Sequence, residues 1–353
     1  MPVFAPEHCS SSRQERDSSW VAPAQASSFA RPAAPRQRSW PSSSRNGAAR
    51  KFKFPFIIMN KKICTKLLSV AAFIAALTFT SFETQAADGR ALELMKSERT
   101  IVVGHRGFSM GAPENTIPSY QWAKLACADL VELDFYVNKD GTLFCHHDSK
   151  MDRTTDIRSS LNLTNAAIID LTDEQIRKLD AGKWKSPLFA GTPMPSFEEA
   201  LTAIQADGGM TLAEHKTGSA EQCAAVLKKL DCVNDLIVQS FNWNFLADMN
   251  KVMPEQITVA LGPQNQLRGV KLTDEQKYLD KTAIDEMLKL GVKGAAWNSQ
   301  VTAEGVKYAH SKGLKVFVYT INEIPKVHEL TALGVDGIIT DNPALVWKAL
   351  ATR

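Results

Sequence analysis

From Thr100 onward, short apolar runs alternate with helical patterns, and this alternation limits the fold more than any other feature of the chain. Runs read as strands fall at 101–104, 130–137, 210–215, 236–240, 257–261, 294–298, 316–321 and 337–340. Between and after them, helices are expected near 116–127, 197–205, 220–230, 243–252, 283–290, 303–311, 324–333 and 343–350. Gly291, Gly313 and Gly334 stand where helices should stop. Strict alternation over about 250 residues predicts an α/β fold, a (β/α)8 TIM barrel. A doubly wound open sheet is the alternative, but no Gly-x-Gly-x-x-Gly follows a predicted strand.

Two interruptions are expected. Residues 143–147 form an extra strand after the second one, because Asp140-Gly141 between extended runs signals a two-residue hairpin turn. Counting back from that turn sets Asp134 opposite His147. Residues 149–195 then form an insertion before the third barrel strand, carrying Lys183, Trp184 and Phe189. Loops of this length are functional or disordered; a lid over the barrel mouth is expected, with a solvated excursion as the alternative.

The front of the chain has a different composition. Residues 1–58 are rich in Ser, Ala, Pro and Arg without apolar periodicity, and read as a disordered or untranslated leader. Residues 59–86 read as a signal peptide: Met59-Asn60-Lys61-Lys62, an apolar stretch from Leu67 to Thr80, and Thr84-Gln85-Ala86 before Ala87. A signal anchor is the alternative, disfavoured by the short apolar stretch. This leaves a domain at 87–353 in a periplasmic or secreted protein. It holds 29 basic and 34 acidic residues, once 12 and 4 are taken from the totals of 41 and 38, so the net charge turns negative. That removes any charge argument for a nucleic-acid or anionic-membrane partner. Cys127, Cys145, Cys223 and Cys232 are expected as free, mostly buried thiols.

Active sites of such barrels lie at the C-terminal ends of the strands. There the chain carries His105 and Arg106, then Glu132 and Asp134, then Glu214 and Lys216, then Tyr319 and Asp341. Strand side chains alternate, so Glu132 and Asp134 share a face while Val131, Leu133 and Phe135 pack under the helices. Three carboxylates, Glu132, Asp134 and Glu214, in one lumen repel each other unless a cation joins them, and hard oxygen ligands suit Ca²⁺ or Mg²⁺. His105 and His147 are the candidate proton carriers at neutral pH. Arg106 and Lys216 would offset negative charge on a substrate, and Glu114 would orient Arg106. His146 and His215 face away and are read as structural.

The segments Gly104-His105-Arg106-Gly107, Pro113-Glu114-Asn115-Thr116, Glu132-Leu133-Asp134, Asp140-Gly141 and His146-His147-Asp148 together resemble the glycerophosphodiester phosphodiesterase family. The likeness spans about 100–345, weakens in the insertion, and sharpens again at Val335–Asp341. It implies a lipid-metabolic hydrolase that cleaves a glycerophosphodiester to glycerol phosphate and an alcohol with a divalent cation, Ca²⁺ or Mg²⁺. It further implies His105 as proton acceptor, His147 as donor, and Glu132, Asp134 and Glu214 as metal ligands. The candidate substrate-binding residues are Lys216, Glu114, Tyr319, Trp184 and Phe189. Two positions differ from the family's usual pattern: Tyr319 replaces a Trp, which bears on substrate packing, and His215 stands between Glu214 and Lys216. Two other readings use the same barrel: cleavage of intact phospholipid headgroups, favoured by an apolar rim, and a non-catalytic phospho-ligand-binding module, which would be expected to lack one of the five key side chains.

Overall fold

The computed structural model describes residues 89–206 and 208–352; the expected leader and signal peptide lie outside the described residues. Eight parallel strands close on themselves: β1 (Ile101–Gly104), β2 (Leu130–Val137), β4 (Thr211–His215), β5 (Leu236–Ser240), β6 (Ile257–Leu261), β9 (Gly294–Trp297), β10 (Lys315–Val318) and β11 (Gly337–Thr340). β1 pairs with both β2 and β11, with Val103 beside Leu130 and Ile101 beside Gly337, which shuts the barrel. Each barrel strand except β11 connects to the next through at least one helix, and α11 (Pro343–Ala351) follows β11. Among the described residues no helix is long and apolar enough to cross a membrane.

Alternation along the strands divides the interior in two. Val131, Leu133, Phe135, Ala213 and Val238 face outward and pack with Tyr120, Phe197, Cys223 and Leu227 from the surrounding helices. Leu130, Leu212, Ile237, Val259, Phe317 and Ile339 point into the lumen, where α1 (Arg90–Lys96), an unexpected helix, adds Ala91, Leu94 and Met95. Glu132, Glu214 and Gln239 lie two residues beyond Leu130, Leu212 and Ile237 on the same strands. The period of two therefore makes the lumen apolar at one end and polar at the other. All four cysteines among the described residues are free, and three are buried.

The extra strand is β3 (Leu143–Cys145), antiparallel to β2, but one residue out of the expected register. Phe135 sits opposite Cys145 and Val137 opposite Leu143, and the His146 amide reaches the Asp134 carbonyl. The loop is Lys139-Asp140-Gly141, not Asp140-Gly141 alone, and Gly141 takes a φ of +87°, the left-handed residue that a three-residue hairpin loop needs. His147 still turns toward the mouth, because β3 ends at Cys145 and the strand alternation ends with it.

No residue of 149–195 lines the cleft at the barrel mouth, so the insertion is not the expected lid, and its packing makes it no solvated excursion either. It leaves and returns beside β3, where Cys145 N–H donates to the Pro195 carbonyl and Phe144 bridges to Ser196. It carries two four-residue helices, α3 (Ile157–Ser160) and α4 (Asp173–Ile176). With Phe144 it builds its own apolar cluster from Met151, Ile157, Ile168, Leu171, Ile176 and Leu179.

Candidate active site

The turn after β1 starts the site. Arg106 and Gly107 both adopt positive φ, +52° and +88°, and a Cβ at Gly107 would strike the Ser119 backbone at 2.5 Å. Only glycine fits there, and the resulting bend points the Arg106 amide at Glu132 Oε2, 2.6 Å away. His105 precedes the bend, and its Nδ1 lies 2.7 Å from Asp341 Oδ1 at the end of β11. Asp341 also accepts hydrogen bonds from Ser109 Oγ (2.7 Å) and Asn322 Nδ2 (2.6 Å). Burial works against its charge, yet these donors, His105 foremost, hold its carboxyl well below the usual range.

Across the mouth His147 repeats the arrangement, with Nδ1 2.7 Å from Asp148 Oδ1. Burial lowers the His147 pKa, and Asp134 opposes that shift. With Nδ1 engaged, each imidazole keeps Nε2 for the cavity. Both rings line a cleft of about 250 Å³ with Arg106, Glu132, Glu214, Lys216, Gln239, Phe241, Leu261 and Tyr319.

Under the cleft, Glu132 and Asp134 are each 1% exposed and Glu214 8%. One oxygen from each lies within 4.8 Å of the others. Burial, then Asp134 and Glu214, pushes the Glu132 carboxyl well above its usual range; burial, then Asp134, pushes Glu214 up to about 7. Burial opposes ionisation of Asp134 too, but Lys216 and Arg106 outweigh it and keep Asp134 charged. Lys216 Nζ stands 3.0 Å from Asp134 Oδ1 and also contacts Glu214, while Arg106 Nε is 3.5 Å from Asp134 Oδ2. Asn115 Nδ2 donates to Asp134 Oδ2 at 2.8 Å. Glu132 Oε1 is buried and accepts no hydrogen bond, and the buried Asp134 Oδ1 has only the Lys216 ammonium beside it. An unmade bond to a buried charged oxygen costs more than the roughly 1–3 kcal/mol of a neutral group. An unpartnered carboxylate oxygen within 4.8 Å of oxygens from two other buried acids fits a hard divalent cation.

Glu114 sits behind this layer and accepts from Arg106 Nη1 at 2.7 Å, so it touches Arg106 and not the cleft. Tyr319 lines the cleft with its ring, because its hydroxyl is given to the Gly262 carbonyl at 2.5 Å. Trp184 and Phe189 require a correction: neither lines the cleft. Trp184 is 39% exposed and gives its indole N–H to the Ala181 carbonyl, and Phe189 packs edge-on against Trp122, centroids 5.6 Å apart. His146 bonds to the Lys150 carbonyl, and His215 lies between Ser240 Oγ and the Gly218 carbonyl, both away from the cleft. Sequence alone gives Asp148 and Asp341 no role, although adjacency to His147 marks the first and position at the end of the last strand marks the second. Gln239 and Phe241 gave no signal of their own; only the barrel register brings them to the mouth.

A (β/α)8 barrel whose C-terminal mouth holds two cations and two carboxylate-held imidazoles over buried acids has the equipment of a barrel enzyme for anionic substrates. Residues 105–345 match the model of the glycerophosphoryl diester phosphodiesterase family, and the chain belongs to that family of hydrolases. The glycerophosphodiester phosphodiesterase of Bacillus subtilis is 30% identical over 299 residues, which cover 79% of this chain and 96% of the relative. That of Caldanaerobacter subterraneus is 29% identical over 256 residues, 69% of this chain and 95% of its own. Among solved structures, an Oleispira antarctica phosphodiesterase in complex with the product sn-glycerol-3-phosphate superposes with a TM-score of 0.62 at 23% identity, covering 73% of this chain and 99% of that one. A glycerophosphodiester phosphodiesterase from Agrobacterium tumefaciens superposes with a TM-score of 0.57 at 23% identity, covering 70% and 98%.

Proposed function

We propose that the enzyme hydrolyses glycerophosphodiesters to glycerol 3-phosphate and an alcohol, with His105 as proton acceptor and His147 as donor. The observation that carries this reading is the pair of imidazoles, each with Nδ1 on a carboxylate and Nε2 left for a cleft that also holds Arg106 and Lys216. His105 Nε2 takes the proton of a water, or of a glycerol hydroxyl, as that oxygen bonds to phosphorus; the phosphorus–oxygen bond to the alcohol breaks, and His147 protonates the departing alkoxide. If the glycerol hydroxyl attacks, water must open the resulting cyclic ester in a second step. Arg106 and Lys216 offset the charge on the phosphoryl oxygens. Glu132, Asp134 and Glu214 would hold one divalent cation, Ca²⁺ or Mg²⁺, which would supply further positive charge there. The glycerol phosphate in the Oleispira neighbour supports the product assignment.

Purified residues 87–353 assayed on a panel of glycerophosphodiesters, with and without chelator, test the reading directly; absence of hydrolysis on every diester overturns it. Calorimetric titration tests the cation site, where Glu132→Gln should weaken binding sharply and an unchanged affinity would move the site elsewhere. We further propose export, with a mature protein beginning near Ala87; N-terminal sequencing that finds residues 1–58 in a stable product would end that idea. One observation favours a second substrate class, intact phospholipid headgroups: Trp122, Leu125 and Leu188 form exposed apolar surface near Phe108 and Phe189, with Leu188 91% exposed. Release of headgroup from phospholipid vesicles at a rate comparable with the soluble diester would select it.

A further inference from the structure

The scheme above leaves one cation beside the site unused. Arg153 comes from the beginning of the insertion and binds two carboxylates at once. Its Nη1 and Nη2 donate to Glu114 Oε2 and Oε1 at 2.9 and 2.7 Å, and its Nε and Nη2 donate to Asp148 Oδ2 and Oδ1 at 2.5 and 3.1 Å. Each carboxylate in turn holds one side chain of the cleft: Glu114 holds Arg106, and Asp148 holds His147. A single guanidinium thus ties together the supports of one phosphate-facing cation and one imidazole.

Arg153 is nearly half exposed, whereas Glu114 is mostly buried, and the two-sided contacts form a network, so the arrangement adds stability as well as order. Its geometry has a clearer use. Asp148 follows His147 directly in sequence and is partly exposed, so alone it is free to rotate toward water. With both oxygens engaged by a planar fork, Asp148 keeps Oδ1 on His147 Nδ1, which fixes the ring and the tautomer. A lysine cannot make the same two-sided contact, having a point charge where arginine has a fork.

We propose that Arg153 is a positioning residue for proton donation by His147, through which the insertion takes part in the reaction. The inference rests on His147 being the donor. The test compares Arg153→Gln, Arg153→Lys and His147→Ala on an alkyl glycerophosphodiester and on the p-nitrophenyl diester, whose leaving group hardly needs a proton. Arg158→Gln is the control, since Arg158 pairs with Asp152 within the insertion and does not line the cleft. For Arg153→Gln, kcat on the alkyl diester should fall roughly tenfold to a hundredfold, as for a lost hydrogen bond to a charged group, and much of it should return on the p-nitrophenyl diester. Arg153→Lys should keep part of the rate and Arg158→Gln nearly all of it. If His147→Ala depends on the leaving group and Arg153→Gln loses rate equally on both substrates, Arg153 is only structural and the inference is wrong. If His147→Ala itself ignores the leaving group, the donor assignment falls and this inference with it. Should Arg153→Gln fail to fold, Arg153→Lys decides by the same ratio.

Discussion

His105 and His147 present the same 2.7 Å contact between Nδ1 and a carboxylate, yet the supports beneath them differ. Asp341 stands at the end of one barrel strand and receives donors from His105, Ser109 and Asn322, which belong to the segments after β1 and β10. Asp148 stands outside the barrel, beyond the end of β3, and its other donor is Arg153 of the insertion. One imidazole is therefore held by the closed sheet and the other by an appendage with a small apolar cluster of its own. Damage to the appendage should reach His147 and spare His105.

The largest effect expected is from the imidazoles themselves. His105→Ala and His147→Ala should each slow hydrolysis of an alkyl diester roughly 10²–10⁴-fold, and the double variant should lose far less than the product of the two. Full additivity in steady-state rates would mean that the rings do not serve one turnover. Next comes the packing beneath His147. Ile157→Ala in the insertion cluster should cost about 2–5 kcal/mol and speed hydrogen exchange within 149–195, whereas Met249→Ala against the barrel should lower the melting temperature of the whole domain. Identical exchange patterns for both variants would erase the distinction between scaffold and appendage.

The supporting carboxylates should matter somewhat less. Asp341→Asn and Asp148→Asn each replace a hydrogen bond to a charged group, worth about 1.5–3 kcal/mol. The first should slow good and poor leaving groups alike, the second mainly the poor ones; the reverse pattern would exchange the roles of the two histidines. The smallest effect concerns His215 on the barrel, whose pKa burial lowers to about 4. Between that value and about 6.5 the unfolded state binds more protons, so stability falls as pH falls, by of order 2 kcal/mol across the window. Urea midpoints between pH 7 and 4.5 should fall less for His215→Gln; an equal fall would place the titrating group elsewhere.

The barrel half of the site was nearly all legible in the sequence, because period-two alternation fixes both the face and the depth of each side chain. Glu132 and Asp134 could be placed in the lumen from Val131, Leu133 and Phe135 alone. The appendage half obeys no such period. Asp140-Gly141 looks like a two-residue turn, but Gly141 closes a three-residue loop, so Asp134 faces His146 in register and His147 reaches the mouth only because β3 stops. Four-residue helices are too short to show an apolar stripe, which hid the cluster around Ile157. Trp184 and Phe189 stand out in sequence as aromatic material in a long loop, but a backbone hydrogen bond and Trp122 hold them away from the cleft.

Closure of the sheet by β1 and β11 also orders events in time. His105 and the carboxylate it needs are 236 residues apart in the chain. At ribosomal speeds of roughly 5–20 residues per second, about 10–50 s separate the emergence of the two. A nascent or prematurely terminated polypeptide carries the imidazole without its partner, so the hydrolytic centre cannot be completed until synthesis has reached the final strand.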